Sequence, residues 1–346
     1  MKRKTVVVFR GIFIAVAMAL MAVAGCSLRG PRARIGHLST ATFGIAFPDP
    51  NRLGKHSYGW LSFSEAGGIV YTCKAGHIDL DHIRGNADAT RFLIKKIRKT
   101  LSKNKKDFSF NLAGEMSTHV IRFTYPDNWD GQTDKDEIIY EIAYDTATYV
   151  AFNATTWHEI LTWFGVHFAL IEPEFNSAFS WEDNYSNLLG ARIGVEAVKD
   201  TEHSFDEAMT TAIYRRLKEL DVQPKSTAIA ASDKVRGRWY TGNFVPDVKM
   251  RNFDIGLDGS ITPTRVPNVE GCDSNEPART LPVPTKETLK HFGFSMTHQI
   301  KPNVILEQGR IFEAAGSKKI FVEKHYPILI EYMKKDAAKR GYQYDE

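Results

Sequence analysis

Cysteine is scarce: the 346 residues contain only 3, too few for a small disulfide-built scaffold. Also missing are low-complexity tracts, repeats at a solenoid period and any apolar run of the roughly 20 residues that a membrane span requires. With 43% hydrophobic and 25% charged residues, the composition excludes a disordered chain and a polytopic membrane protein. Acidic residues are absent from positions 1–25, and this absence accounts for the formal net charge of +4. Lys2, Arg3, Lys4 and Arg10 supply the whole excess, so the rest of the chain balances 41 basic against 41 acidic residues.

What is present begins with an export signal over 1–25, a basic start followed by the apolar run 11–24. Its end, Val23-Ala24-Gly25-Cys26, resembles the lipobox of bacterial lipoproteins. That resemblance implies cleavage before Cys26, acylation of Cys26 and a lipid bilayer as the first partner. Ser27, where retained lipoproteins carry Asp, implies the periplasmic face of the outer membrane. A plain secretory signal or an uncleaved anchor is the alternative. Residues 26–40, with Arg29, Arg32 and Arg34, read as a lipidated tether, and 41–346 as a single domain. In an oxidising compartment Cys73 and Cys272 form a candidate disulfide; two inert thiols or a reactive Cys73 are the alternatives.

The hydrophobic pattern predicts an α+β fold with a central buried helix, a helical middle region and short flanking antiparallel strands. Helices are expected over 81–101, 135–164 (capped by Asp134), 180–198, 204–220 and 326–339. β-type runs stand at 60–63, 68–71, 108–112, 119–125, 238–240, 249–255, 261–262, 292–296, 304–306 and 319–322. The section 224–290 reads as irregular and rich in Pro and Gly.

Two segments concentrate chemistry. His77, Asp79, Asp81, His82 and Arg84 lie within eight positions, with Asp88 one turn beyond. Imidazoles beside carboxylates suit a divalent metal such as zinc, with His77, Asp79 and His82 as candidate ligands, or general acid–base work. A plain helix start capped by Asp79 or Asp81 explains the same residues. On the central helix Glu141, Asp145, Thr148, Thr155, Glu159 and Thr162 fall on one stripe with His158 beside it. Asp145, Glu159 and His158 are candidate catalytic residues; a stripe facing water is the alternative. His158-Glu159-Ile160-Leu161-Thr162 lacks the second histidine of a zinc-protease helix. Glu182, Asp183, Tyr185 and Asn187 begin the next helix, where they can meet the stripe.

The combination of Tyr71-Thr-Cys-x3-His-Ile-Asp-Leu-Asp-His-Ile-Arg84, Trp157-His-Glu-Ile-x-Thr-Trp-Phe-Gly165 and Phe179-Ser-x-Glu-Asp-x-Tyr-Ser-Asn-Leu-Leu-Gly190 resembles a family of uncharacterised bacterial proteins, a domain of unknown function. The resemblance implies no activity. The residues themselves support a metal-assisted hydrolase acting on an envelope substrate, with an envelope scaffold or binding lipoprotein as the alternative. Cys73 ahead of a helix also resembles the layout of cell-wall cysteine peptidases. The run 91–106 holds eight cations and no acid, so Lys95, Lys96 and Lys99 form a candidate face for an acidic envelope polymer or protein. A periplasmic address excludes nucleic acid as its partner.

Overall fold

The computed structural model describes residues 31–345 apart from 33, 35, 42–46, 60–63, 113–116, 166, 169–171, 244–245 and 303–307. The signal segment, Cys26 and the runs at 60–63 and 304–306 lie outside the described residues.

Antiparallel β1 (Ile69–Thr72) and β2 (Gly76–Asp79) form a hairpin that runs straight into helix α1 (Leu80–Leu101). Asp79 both ends the strand and caps the helix, its Oδ1 accepting from the N–H groups of Asp81 and His82 at 2.7 and 3.2 Å. Strands β3 (Asp107–Phe110) and β4 (Ser117–Thr124) precede α2 (Lys135–Trp163). The small pair β5 (His167–Phe168) and β6 (Glu172–Pro173) leads to α3 (Asp183–Lys199) and α4 (Phe205–Glu219). Next come α5 (Lys225–Val235), β7 (Met250–Asn252), β8 (Ser260–Ile261) and β9 (Leu281–Pro282). The chain closes with α6 (Glu287–His291), β10 (Ser295–Pro302), α7 (Gln308–Ala315), β11 (Ile320–Phe321), α8 (Val322–Lys339) and β12 (Gln343–Asp345).

This is an α+β fold built around α1, α2 and α3. Helix α3 reaches α1 through glycines. A Cβ on Gly190 would lie 2.6 Å from the Cα of Ile83, and one on Gly194 would lie 2.7 Å from the Cα of Ala87. Spaced by one turn on both helices, these positions let the two backbones touch. Helix α2 buries Trp157, Ile160, Leu161 and Trp163 in its later half, while Glu141 and Asp145 in its first half are exposed. Against it lies an antiparallel sheet of order β11-β10-β4-β3, whose inner face presents Ile121, Phe123, Met296 and Ile300. Alternation along β4 and β10 produces that face. Cys73, after β1, is bonded to Cys272 with a Cα separation of 5.2 Å. The bridge spans 199 positions, which corresponds to about 5 kcal/mol in the loop-entropy model. Among the described residues no helix is long and apolar enough to cross a membrane.

Several boundaries differ from the sequence pattern. Helix α5 occupies the start of the section read as irregular; Pro224 only precedes it, and Ala228, Ala231, Ser232 and Val235 supply its buried face. Helix α7 is another element that the pattern does not signal. Residues 238–240 give isolated bridges in place of a strand. Strand β10 starts at Ser295 and continues to Pro302, because Gly293 turns with φ 74° just before it. Helix α8 starts before Pro327 and takes in Val322, leaving β11 two residues long. Asp134 stands at the start of α2 but makes no side-chain cap bond. Strands β7 and β12 pair in parallel.

Candidate functional site

Two helix starts, the later half of α2 and one irregular segment meet at a buried polar centre. The start of α1 contributes Asp79, Asp81 and His82, α2 contributes His158 and Glu159, and the start of α3 contributes Glu182 and Asp183. The described residues between 31 and 41 lie across them and bring His37 and Ser39. These residues are docked on the domain, which the reading of 26–40 as a tether did not anticipate.

Asp79 is fully buried and accepts a third backbone donor, His37 N–H, on Oδ2 at 2.5 Å, while its own N–H donates to Ser186 Oγ at 3.0 Å. Asp81 Oδ2 takes the N–H of Gly68 at 3.1 Å and pairs with His37 Nδ1 at 3.0 Å. The Nδ1 edge of His82 faces Asp183 Oδ1 at 3.2 Å and Asp79 Oδ2 at 3.8 Å. Its opposite edge faces Gly36: a Cβ there would overlap Nε2. Asp183 Oδ2 accepts Ser180 N–H at 2.8 Å, and Glu182 Oε1 accepts Ser39 N–H at 3.1 Å. Glu159 Oε2 accepts Phe179 N–H at 2.8 Å. Phe179 has φ 54°, a strained conformation for an aromatic residue, so this carboxylate helps to hold the turn that aims Ser180 to Asp183 at His82. Beside the centre, Thr155 donates to Asn86, which donates to Asn187 at 2.6 Å and so joins α2, α1 and α3.

The protonation pattern is uneven. Burial opposes a charge on His82, but Asp79, Asp183 and Glu159 outweigh it and hold the pKa well above the ordinary histidine value. His158 is pushed down to about 4 by burial and by the charge of His82. Burial, with Asp183 and Asp79 nearby, pushes Glu182 up to about 8. The hydrogen bond to Asp81 raises His37, while Asp81 itself is lowered despite its burial, chiefly by His37. These shifts favour charge on His82 and His37 and a neutral state for His158 and Glu182.

Of the residues singled out in the sequence, Asp79, His82, His158 and Glu159 converge here. His77 does not. Its Nδ1 accepts the indole N–H of Trp181 at 3.2 Å and its Nε2 faces Ala228 O at 3.4 Å, a neutral core histidine between Tyr71 and Trp181. Asp145 lies 14 positions before Glu159, about 21 Å along the helix, and is bonded to Thr288. The bridge to Cys272 removes Cys73 as a thiolate nucleophile. Lys95 and Lys99 are exposed, whereas Lys96 is half-buried with its ammonium 5.6 Å from the Phe92 ring. Arg91 turns inward onto Tyr58 and Phe205, and Arg98 onto Tyr140. Arg84 donates to the carbonyls of Ala66 and Leu53 and makes no acid pair among the described residues; Asp88 pairs with Arg34 at 2.9 Å and His56 at 3.0 Å.

His37 escaped the sequence reading because it follows an Arg-rich stretch, and only the fall in charge after Arg34 signals a change. Residues 50–267 match the family described as protein of unknown function (DUF4056). The chain belongs to that family. The DUF4056 region holds Asp79 through Asp183, so every helical contribution to the centre falls inside it, while His37 and Cys272 fall outside. No curated protein and no solved structure matches this chain.

Proposed function

We propose that this protein is a lipoprotein of the periplasmic face of the outer membrane, anchored through acylated Cys26, whose polar centre hydrolyses an envelope substrate by general acid–base catalysis. The observation that carries the chemistry is a His82 held charged and oriented by Asp183 and Asp79, beside a His158 that burial and the charge of His82 keep neutral. Two like groups pushed to opposite protonation states divide into an acid and a base. Water adds to the scissile carbonyl carbon and gives its proton to His158; the bond to the leaving group breaks as His82 supplies that group with a proton. The strain at Phe179, held by Glu159, fits a centre shaped for a task and not for stability alone.

The test incubates the full chain with envelope extract and follows product formation by mass spectrometry. His82→Gln and His158→Gln should each lower turnover about 100-fold or more while the protein stays folded. Equal turnover in wild type and both variants would contradict the reading. Cys26→Ser should abolish acylation and remove the protein from the outer-membrane fraction.

A metal-assisted variant draws on a second observation: His37, Asp79 and Asp81 offer ligand atoms within 4.8 Å of one another. Zinc or another divalent ion there would polarise a bound water. Asp79 already accepts three backbone N–H groups and the inward oxygen of Asp81 two donors, so an ion would compete with the helix cap. Metal analysis after reconstitution decides between them: stoichiometric metal lost in His37→Ala supports the ion, and metal-free active protein excludes it.

A further inference from the structure

The contacts of residues 36–41 are made largely by main chain. His37 N–H goes to Asp79 and Ser39 N–H to Glu182; Ser232 Oγ donates to Ser39 O at 2.8 Å, and Ala41 N–H reaches Tyr240 Oη at 3.4 Å. Residues 37 and 39 thus present their N–H groups to one side, as alternate residues of an extended chain do. Side chains matter at two points. Gly36 lies on His82 with no room for a Cβ, and Leu38 packs beside the apolar cluster of Trp181 and Tyr240.

As an occupant this segment is incomplete. Glu182 Oε2, Ser39 Oγ and Ser180 Oγ are buried and have no hydrogen-bond partner among the described residues. Uncompensated burial of such groups is costly, and Glu182 and Ser180, which belong to the domain and not to the segment, therefore keep polar capacity that the segment does not use.

From this geometry we propose that the groove over His82 is a binding site for an extended peptide main chain with glycine opposite the imidazole, and that residues 36–41 fill it as a built-in strap. This rests on the acid–base reading of the same centre and names its substrate class as a peptide. Glu182 and Asp79 read backbone N–H groups, the wall at Gly36 selects glycine, and the patch at Leu38 takes an apolar side chain two residues on.

The experiment uses a fluorescein-labelled peptide Gly-His-Leu-Ser-Thr-Ala and fluorescence polarisation with the full chain. Two variants loosen the strap by different means: Gly36→Val, which cannot sit on His82, and Ser39→Pro, which lacks the N–H that Glu182 accepts. Each should bind the peptide about tenfold or more tighter than wild type, where the strap competes. Replacing the peptide's glycine by valine should weaken binding about tenfold or more. No gain in either folded variant, or equal binding of the two peptides, would overturn the proposal. Binding is also measured in Ser39→Pro with His82→Gln: binding that persists without turnover supports the groove, whereas turnover that persists there contradicts only the acid–base reading.

Discussion

His77 and His82 show how placement decides what an imidazole does. Both ring nitrogens of His77 have partners inside the core, so a second proton has no place, and burial pushes its pKa down to about 4. The unfolded chain takes up that proton near pH 6.5, so stability falls as pH drops from about 6.5 to about 4, by on the order of 3 kcal/mol. His158 acts in the same direction. His82 acts in the opposite one: its pKa is raised, so its contribution is complete below about pH 6.5 and is lost as pH rises through the folded-state value. In His77→Gln the amide can keep both hydrogen bonds without titrating. Urea unfolding at pH 4.5 and pH 7 should then show a smaller acid loss than wild type; an unchanged difference would mean that His77 is not the neutral core histidine described here.

At the level of elements, the close contact of α1 and α3 sets the site. It places the Asp79 cap and the Glu182–Asp183 start side by side, and it depends on Gly190 and Gly194. Gly190→Ala puts a methyl group against the backbone of Ile83, where no flexible side chain can give way. The expected loss is about 1–3 kcal/mol in urea unfolding, and a neutral result would show that the helices can slide apart without penalty. The later part of α1 has a separate character. Lys95 and Lys99 point outward, about 20 Å or more along the helix from His82, so reversing both to Glu should leave turnover intact and weaken capture by anionic vesicles in a salt-dependent way.

Across the whole molecule, the long amphipathic or apolar elements were legible in the sequence and the connections were not. The uninterrupted pattern over 135–164 marked α2 and that over 204–220 marked α4, whose start the structure closes with a capping box of Ser204 and Glu207. Helix α5 was hidden because a proline directly ahead of a helix looks the same as one that breaks it. The stripe on α2 looks continuous in sequence, yet it extends from exposed Glu141 and Asp145 to buried Glu159, and only its later half joins the polar centre. His37 and Ser39 enter through tertiary packing alone, which no local pattern records. The neutral domain, the polar centre and the segment that covers it form one arrangement whose meaning depends on the state of two imidazoles. The most direct measurement is therefore NMR titration of the imidazole nitrogens of His82 and His158 in the full chain. At pH 7 His82 should be doubly protonated and titrate well above 6.5, while His158 should be neutral and gain its proton only near pH 4. Two histidines titrating together near pH 6.5 would contradict it.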